Sequence, residues 1–406
     1  MPFQKTCIED EAVRFIVLWR AGQETMTALC SAFGISRAWG YELVGRYRRE
    51  GAAGLVARSR APLRPGQALS GELAGEILAL RGQHPYWGPR KLRAWLMERQ
   101  PMTRWPAAST IGDLLRREGL SRAKRRRRSQ MPLTRPFAQV RQANDLWCID
   151  FKGWFRTGDG VRCDPLTLSD AHTRYLLCCD IMAPRTGPVD RAVERAMREH
   201  GLPRAIRSDN GPPFASMGAG GLSRLAVKWI KLGIELERCD PGSPQQNGRH
   251  ERMHATLKAQ TAKPPAANPH AQQMRFDAFR QEYNHQRPHE ALGQTPPARH
   301  YQASPRPWPE RLAEPTYRAE QAVRRVRTNG QIRWGGELVY VSEALIGEPV
   351  GVAETECGDW IVHYAHYPVG LINRRTKQLK PFTAIRPGTS RTAKQNGKTV
   401  NDPAGP

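Results

Sequence analysis

The sequence predicts a multidomain α/β protein with helical N-terminal units, a mixed α/β core and a small C-terminal β-barrel. Its 406 residues exceed the size of one ordinary domain and favour two to four domains. Helical spacing of apolar residues dominates up to about residue 121, and strand-like alternation begins at Asn144. A second strand-rich part covers 322–375. These changes of periodicity define the predicted domain boundaries.

The charge balance of the chain indicates a polyanionic partner. Lys and Arg number 63 against 38 Asp and Glu, which gives a formal net charge of +25. Nucleic acid is a better counterpart for this excess than a membrane surface, because a large basic footprint is typical of nucleic-acid-binding proteins. The alternative is a basic protein that is merely soluble.

Hydropathy and cysteine usage bear on the compartment. The longest apolar run near the N-terminus, Phe15–Trp19, is far shorter than the ~20 residues that span a bilayer. The eight cysteines form no C-x-x-C pair, which argues against both a zinc site and a disulfide framework. We therefore expect a cytoplasmic protein without a membrane partner.

Residues 1–58 are predicted to form a helix-turn-helix domain. Gly34 is expected to end the second helix as a left-handed cap, and Ser36 is expected to begin the third as an N-cap. Helix, glycine-containing turn and helix form the outline of the motif. The three predicted helices are Ile8–Ala21, Met26–Phe33 and Arg37–Glu50.

The third of these helices supplies candidate DNA contacts. In a helix-turn-helix the second helix of the pair enters the major groove by its N-terminal end. Arg37, Trp39 and Tyr41 therefore become candidates for DNA binding. An ordinary three-helix bundle is the alternative.

A second helix-turn-helix-like domain is predicted at 67–121, followed by a basic linker at 122–143. The dense basic run in this linker cannot pack and is expected to lie exposed along DNA phosphates or in a minor groove. A solvated linker without DNA contact is the alternative. The predicted helices are Gly71–Gly82, Gly88–Gln100 and Pro106–Glu118. The DNA-binding candidates of the run are Lys124, Arg125, Arg126, Arg127 and Arg128.

The mixed α/β core is predicted at 144–262. It opens with "NDLWCIDFKGWF", in which Trp147, Ile149 and Phe151 point to one side and Asp150 to the other. A glycine-containing hairpin turn follows, and helices then alternate with strands. The later predicted strands are 161–168, 174–181, 204–207 and 234–237, and the predicted helices are 189–200, 221–232 and one from about 248 past 258.

Three further segments are predicted after the core. Residues 263–301 are interpreted as a core-flanking helix and Pro-rich segment, with a linker at 263–270 and a helix at 275–286. Residues 322–375 alternate in short strand-like bursts that predict the small β-barrel. Residues 388–406 contain almost no apolar side chains and are expected to be a disordered tail.

Three acidic residues stand out by their context. Asp150 lies within an apolar strand, where a charge is unfavourable unless a partner compensates it. Asp209 ends a later strand at its carboxyl edge, where open α/β sheets bind ligands. Glu251 begins a helix, and Lys258 follows two turns later on the same face. A carboxylate and a lysine on one helix face suit a site that holds metal near a phosphate.

The chemistry of these residues predicts a two-metal site. Ligation by carboxylates alone selects Mg²⁺ or Mn²⁺ and argues against zinc. Two such ions stabilise the attacking and leaving oxygens of an in-line displacement at phosphorus. Asp150, on the central strand, is expected to bridge the ions, while Asp209 and Glu251 each hold one. Other acids are interpreted as structural because they lie at turns or strand ends: Asp164, Asp170, Asp180 and Asp240.

Four segments of the core resemble one protein family. They are "DLWCIDFKG", "IRSDNGPPF", "LGIELERCDPGSPQQNGRHERMHATLK" and "YNHQRPHEALGQTPPARHY". In this order they resemble the integrase-core transposases of bacterial insertion sequences, relatives of retroviral integrases with a DDE triad on an RNase H-like fold. The close resemblance covers roughly Asn144–Tyr301. The N-terminal helix-turn-helix half is similar to the end-binding region of the same family.

The resemblance implies an enzyme, a DDE transposase or integrase, and assigns its site. Asp150, Asp209 and Glu251 take the catalytic triad positions and bind two Mg²⁺ (or Mn²⁺) ions. Lys258 matches the basic residue that contacts DNA, and Lys152 and Arg249 are expected to contact phosphates. The implied reaction is transposition: the N-terminal units bind terminal inverted repeats, and the core cleaves a strand and transfers the 3′-hydroxyl end to target DNA. The implied partners are double-stranded DNA at the bacterial nucleoid and at least one further copy of the chain.

Two departures from the family pattern and two alternatives accompany this assignment. The interval from Asp209 to Glu251, 42 positions, is longer than usual, and "SMGAGG" (Ser216–Gly221) is interpreted as inserted slack. No His/Cys zinc module of the retroviral kind precedes the core.

A non-catalytic DNA-binding regulator derived from a transposase is one alternative, but such a protein is expected to have lost one of the acids. A structure-specific nuclease is the other, and it leaves the two DNA-reading units unexplained.

Overall fold

The structure is a computed structural model of the chain. It describes residues 8–56, 69–121, 137, 139–216, 218–238 and 248–382. The chain divides into two compact units, Met1–Ser70 and Gly71–Pro406. Within the described ranges, no helix is long and apolar enough to cross a membrane. Three predicted features lie outside the described residues: the dense basic run at 122–128, the turn residue Asp240 and the tail at 388–406.

In its described residues the first unit has three α-helices, as the sequence predicts. The Ser36 side chain accepts a hydrogen bond from the Trp39 backbone N–H at 3.2 Å, and Gly34 has a φ of +64°, so both predicted cap positions are confirmed. Gly40 permits close packing of the third helix, because a Cβ at this position would lie 2.5 Å from Cys30 Sγ. The helices are α1 (Ile8–Ala21), α2 (Met26–Ala32) and α3 (Arg37–Glu50).

The second unit begins with another three-helix group. Trp87, Leu92 and Ile111 are fully buried and form its core. The helices are α4 (Gly71–Gln83), α5 (Pro89–Arg99) and α6 (Ala108–Arg117). Within this unit the group is fixed to a later helix, since Trp87 Nε1 donates a hydrogen bond to Glu282 Oε1 at 2.9 Å.

The core is a five-stranded mixed sheet. Its strands are β1 (Leu146–Phe151), β4 (Pro165–Asp170), β5 (Leu176–Ile181), β6 (Ala205–Ser208) and β7 (Glu235–Arg238), and a small hairpin of β2 (Phe155–Arg156) and β3 (Arg162–Cys163) follows the first strand. The strand order is β5-β4-β1-β6-β7, with β1 antiparallel to β4 and parallel to β6. The helices of the core are α7 (Thr186–His200), α8 (Arg224–Lys231), α9 (Gly248–Thr261) and α10 (Pro269–His285). The central strand β1 therefore has an antiparallel neighbour, β4, on one side and a parallel neighbour, β6, on the other.

Two elements of the core differ from the sequence prediction. The predicted strand 161–168 is divided into β3 and β4, because Asp164 separates them. The predicted linker at 263–270 is too long at its C-terminal end, since α10 already begins at Pro269. The Asn268 side chain caps this helix by accepting a hydrogen bond from the Ala271 backbone N–H at 2.9 Å.

Between residues 318 and 382, the described C-terminal part of the second unit has seven short strands. They are β8 (Ala322–Arg325), β9 (Gln331–Trp334), β10 (Glu337–Tyr340), β11 (Pro349–Glu354), β12 (Trp360–Tyr364), β13 (Tyr367–Ile372) and β14 (Leu379–Pro381). One sheet has the order β14-β13-β12-β11-β8, and β9 pairs with β10 in a separate ribbon. Among the described residues these strands do not close into a barrel, because the edge strands β8 and β14 do not pair with each other. The predicted β-barrel is therefore not confirmed.

This C-terminal sheet shares an apolar core with the α/β domain. Val227 and Ile230 of α8 are buried together with Val350, Val362 and Val369 of the sheet. The Lys231 ammonium also forms an ion pair with Glu348 at 2.9 Å. The C-terminal strands are thus packed onto the core through α8.

Candidate active site

Strand register places Asp150 and Asp209 side by side. Strands β1 and β6 run parallel, and Leu146, Trp147 and Cys148 pair with Ala205, Ile206 and Arg207. Continued by two residues, the same register brings Asp150 opposite Asp209, which directly follows β6. Adjacent strands are ~4.8 Å apart, so the two carboxylates emerge from neighbouring positions at the carboxyl edge of the sheet.

The electrostatics of Asp150 link it to both other acids. Burial and the negative charge of Asp209 raise the pKa of Asp150 from 3.8 to about 7, and the charge of Glu251 contributes in the same direction. Burial also raises the pKa of Asp209, while a hydrogen bond from the Gly211 N–H and the nearby Arg238 guanidinium oppose this shift. The three acids selected from the sequence therefore belong to one electrostatic neighbourhood.

Glu251 is presented by an amphipathic helix. It lies exposed in the first turn of α9, whereas Met253 and Leu257 are buried on the face that packs near Phe276 and Phe279 of α10. The predicted buried face of this helix is confirmed. In the parts of the chain that the structure describes, no three His, Cys, Asp or Glu side chains are gathered closely enough to hold a metal ion.

Two histidines attach α9 to the sheet, and the sequence did not single them out for this role. His250 Nε2 and His254 Nε2 lie 2.6 and 2.7 Å from the Thr167 hydroxyl oxygen. His250 Nδ1 also lies 3.1 Å from Ser169 Oγ. The single hydroxyl proton of Thr167 is donated to the Asp150 carbonyl at 3.1 Å, so the histidine rings donate to the hydroxyl oxygen. Their i, i+4 spacing was the available signal, but their partner on β4 was not apparent.

One of these histidines also lies near Asp150. His254 Nδ1 lies 4.0 Å from Asp150 Oδ2. Burial lowers the pKa of His250 to about 4 and that of His254 to about 2, so both rings are neutral at physiological pH. The clamp formed by Thr167, His250 and His254, which we call the Thr167 clamp, fixes the start of α9 against β4.

Basic side chains accompany the acids. Burial lowers the pKa of Lys152, and the charge of Lys258 lowers it further, which places the two ammonium groups near each other. Lys152 follows Asp150 by two residues, and Lys258 is exposed two turns after Glu251. The side chain of Arg249 lies outside the described residues.

The remaining sequence candidates have different surroundings. Arg37, Trp39 and Tyr41 are exposed on α3 of the first unit. Lys124, Arg125, Arg126, Arg127 and Arg128 lie outside the described residues. Three of the acids interpreted as structural have structural partners: Asp164 pairs with Arg162 at 2.7 Å, Asp170 accepts a hydrogen bond from the Asn144 N–H at 2.8 Å, and Asp180 pairs with Arg195.

The segment interpreted as inserted slack makes specific contacts. The Tyr367 hydroxyl donates a hydrogen bond to the Gly220 carbonyl at 3.0 Å. Arg238, on β7, donates to the Gly221 carbonyl at 3.4 Å and to the Asp209 carbonyl at 3.3 Å. The segment is therefore a packed connection between the C-terminal sheet and the loop that carries Asp209.

Comparison with known families assigns the class of the chain. Integrase core domain models match residues 140–244 and 232–297, and the C-terminal domain of IS481 family transposases matches 321–380. A helix-turn-helix domain matches 14–62, and a homeodomain-like domain matches 39–115. A 31.7 kDa protein of insertion element IS407 from Burkholderia multivorans is 31% identical over 232 residues, which are 56% of this chain and 79% of the relative. The chain belongs to the transposases of bacterial insertion sequences with an integrase-like core.

Further similarities accompany this assignment. The transposase is 28% identical to a 39.2 kDa protein of insertion element IS476 from Xanthomonas euvesicatoria, over 56% of the chain and 63% of the relative. A simian T-cell lymphotropic virus intasome in complex with the PP2A regulatory subunit B56 gamma has a TM-score of 0.35 and 15% identity, covering 72% of this chain and 97% of that one. The integrase-core matches, together with the strand order, identify the core of the transposase as RNase H-like.

Proposed function

We propose that this transposase binds the terminal inverted repeats of its insertion sequence and catalyses divalent-metal-dependent strand cleavage and strand transfer. The observation that carries the proposal is that Asp150 and Asp209 lie where the parallel register of β1 and β6 continues toward the carboxyl edge, and that the charges of Asp209 and Glu251 both raise the pKa of Asp150. Active sites of open α/β sheets lie at such carboxyl edges.

The donor set fits a hard divalent cation. All three groups are carboxylates, which favour Mg²⁺ or Mn²⁺ over softer metals. The ionised form of Asp150 is disfavoured by burial and by two neighbouring negative charges, and a cation would relieve this cost. Asp150 would contact both ions, while Asp209 and Glu251 would each hold one. When bound, the ions supply activation of the attacking oxygen and stabilisation of the leaving oxygen at phosphorus.

The side chains of the transposase prepare this chemistry. The Thr167 clamp holds the start of α9, the helix that carries Glu251, against the sheet that carries Asp150. Lys152 and Lys258 add positive charge beside the acids, where the scissile phosphate would lie. Arg249 is proposed as a third phosphate contact.

The DNA-binding role rests on the N-terminal units. Helix-turn-helix matches cover both helical groups, and Arg37, Trp39 and Tyr41 are exposed at the start of α3, where such motifs read the major groove. Lys124, Arg125, Arg126, Arg127 and Arg128 are proposed as phosphate contacts. Joining two element ends to one target requires at least two copies of the chain on the DNA.

Strand cleavage by single variants tests the proposal. Asp150→Asn, Asp209→Asn and Glu251→Gln are expected to abolish Mg²⁺-dependent nicking and joining of duplexes that carry the element ends, because each removes a charged metal ligand. Asp164→Asn is the matched control, since this acid pairs with Arg162 and should retain activity. Affinity for the end duplex should remain within about twofold in all four variants. Full strand transfer by any triad variant would contradict the assignment, and end binding without cleavage by the wild type would favour a regulator.

A further inference from the structure

A hairpin beside the acids presents a tryptophan to solvent. Trp154 precedes β2, and 56% of its surface is exposed, which makes it the most exposed tryptophan in the described part of the second unit. An indole ring is among the largest apolar groups of a protein and is usually buried in large part. The exposure of this ring therefore requires that the hairpin be held in place by other contacts.

The hairpin is anchored to α10 and the segment before it by contacts that do not involve the indole ring. The backbone N–H groups of Gly158 and Asp159 donate hydrogen bonds to the carbonyls of Ala266 and Ala267, both at 2.8 Å. A Cβ on Gly158 would lie 3.1 Å from the Ala267 Cα, so the two segments are in close contact. Phe155 packs edge-on against Phe276 of α10, with ring centroids 6.4 Å apart. Trp154 is thus displayed by a fixed support.

Positive charge surrounds the ring. The guanidinium carbons of Arg156 and Arg162 lie over the ring, 5.8 and 5.2 Å from its centroid, which is farther than direct stacking contact. Both are restrained, because Arg156 donates a hydrogen bond to the Gly160 carbonyl and Arg162 donates two to Asp164. Lys152, two residues before the ring, adds a further charge. An aromatic face within a basic surface is the usual arrangement for binding single-stranded nucleic acid.

The ring is also close to the acids. Trp154 lies four positions after Asp150, so their Cα atoms are within about 14 Å of each other. At the ~3.4 Å rise of stacked bases, this distance corresponds to a few nucleotides from a phosphate held by the acids. A base at this position has a free face only where the duplex is locally open, as at a frayed or nicked end.

We infer that Trp154 is a stacking platform for an unpaired DNA base next to the strand processed at the acidic site. The location relative to the reaction rests on the proposed function, whereas the binding of the base does not. The flanking arginines hold the sugar-phosphate backbone, and the indole face contacts the base. The ligand class is single-stranded DNA with at least one unstacked base, and the contact is independent of base identity because every base has a π-face.

A two-by-two binding experiment tests this inference. The full-length wild type and Trp154→Ala are titrated, in EDTA, with a fluorescein-labelled 15-nucleotide oligothymidylate and with an abasic oligonucleotide of the same length. Trp154→Ala should weaken oligothymidylate binding by about 5- to 100-fold and leave abasic binding unchanged. Trp154→Phe should restore most of the loss. Met274→Ala, which removes an apolar side chain that is 62% exposed on α10, is the matched control and should change neither affinity.

Each outcome separates this inference from the proposed function. Equal weakening of both oligonucleotides by Trp154→Ala would mean that the ring supports the hairpin or its charges, and would overturn the inference. Unchanged binding of both would overturn it as well. Because EDTA prevents metal-dependent cleavage, this binding test gives the same answer whether or not the wild type can cleave DNA. As a local measure, ultraviolet crosslinking of 5-iodouracil DNA should label the peptide that contains Trp154, and labelling confined to other peptides would contradict the inference.

Discussion

Replacement of Asp150 by Asn should make the metal-free transposase more stable at neutral and alkaline pH. The pKa of Asp150 is raised from 3.8 to about 7, mainly by burial and by the charge of Asp209. The folded chain therefore retains a proton that the unfolded chain releases at lower pH. For such a raised acid, folding stability falls as pH rises from about 4 to about 7 and is flat above that range. The neutral amide of Asn avoids this loss.

The magnitude follows from the same values. The difference between 3.8 and about 7 corresponds to ~4 kcal/mol when Asp150 is fully ionised in the folded chain. The side chain is 24% exposed, so solvent screening reduces this figure, and we expect about 2–3 kcal/mol at pH 8. Near pH 4 the two proteins should be about equally stable, because Asp150 is then largely neutral in the folded chain.

Urea unfolding in EDTA at pH 4, 5, 6, 7 and 8, followed by tryptophan fluorescence, measures the effect. The stability difference between Asp150→Asn and the wild type should grow through pH 4–7 and then remain constant. Asp113→Asn, in a carboxylate that is 62% exposed on α6, serves as control and should show no such growth. Addition of Mg²⁺ should stabilise the wild type and not Asp150→Asn. A stability difference that does not depend on pH would refute the electrostatic reasoning.

Three further predictions concern the supports of the site and its DNA. Thr167→Val removes the hydroxyl of the Thr167 clamp and should lower kcat for strand cleavage at least about tenfold, with little change in DNA affinity. Thr167→Ser keeps the hydroxyl and should retain most activity, so equal losses in both variants would show that the hydroxyl is not the cause. Tyr367→Phe removes the hydrogen bond to Gly220 and should lower the stability of the second unit by about 1 kcal/mol in urea unfolding, and an unchanged midpoint would argue against the packed connection. The logarithm of DNA affinity should fall linearly and steeply with the logarithm of salt concentration as counterions are released, and a flat response between 50 and 200 mM would exclude a basic footprint.

Local signals in the sequence predicted the helical elements well. Ser36 marks the start of one helix and Gly34 the end of another through contacts within a few residues, and such caps can be recognised without knowledge of the fold. The start of α10 shows the limit of composition: Asn268 followed by Pro269 is an N-cap and N1 pair, but the surrounding Pro and Ala residues favoured a linker.

The pairing of segments that are distant in the chain was harder to predict from the sequence than local structure. The positions of Asp150 and Asp209 followed from strand pattern and from the rule that ligands bind at carboxyl edges. The Thr167 clamp could not be predicted, because it joins residues more than 80 positions apart and depends on the antiparallel pairing of β1 with β4. Alternation likewise predicted C-terminal strands but not their pairing, so an open sheet and a separate ribbon stand where a barrel was expected.

The location of bound Mn²⁺ in crystals of the full-length transposase tests the central claim most directly. Anomalous diffraction should place Mn²⁺ within ~2.3 Å of carboxylate oxygens of both Asp150 and Asp209, with Glu251 drawn in as a further ligand. The same experiment on Asp150→Asn should give no density there. The account would be contradicted if Mn²⁺ bound only elsewhere, or if no anomalous density appeared between Asp150 and Asp209 at millimolar Mn²⁺.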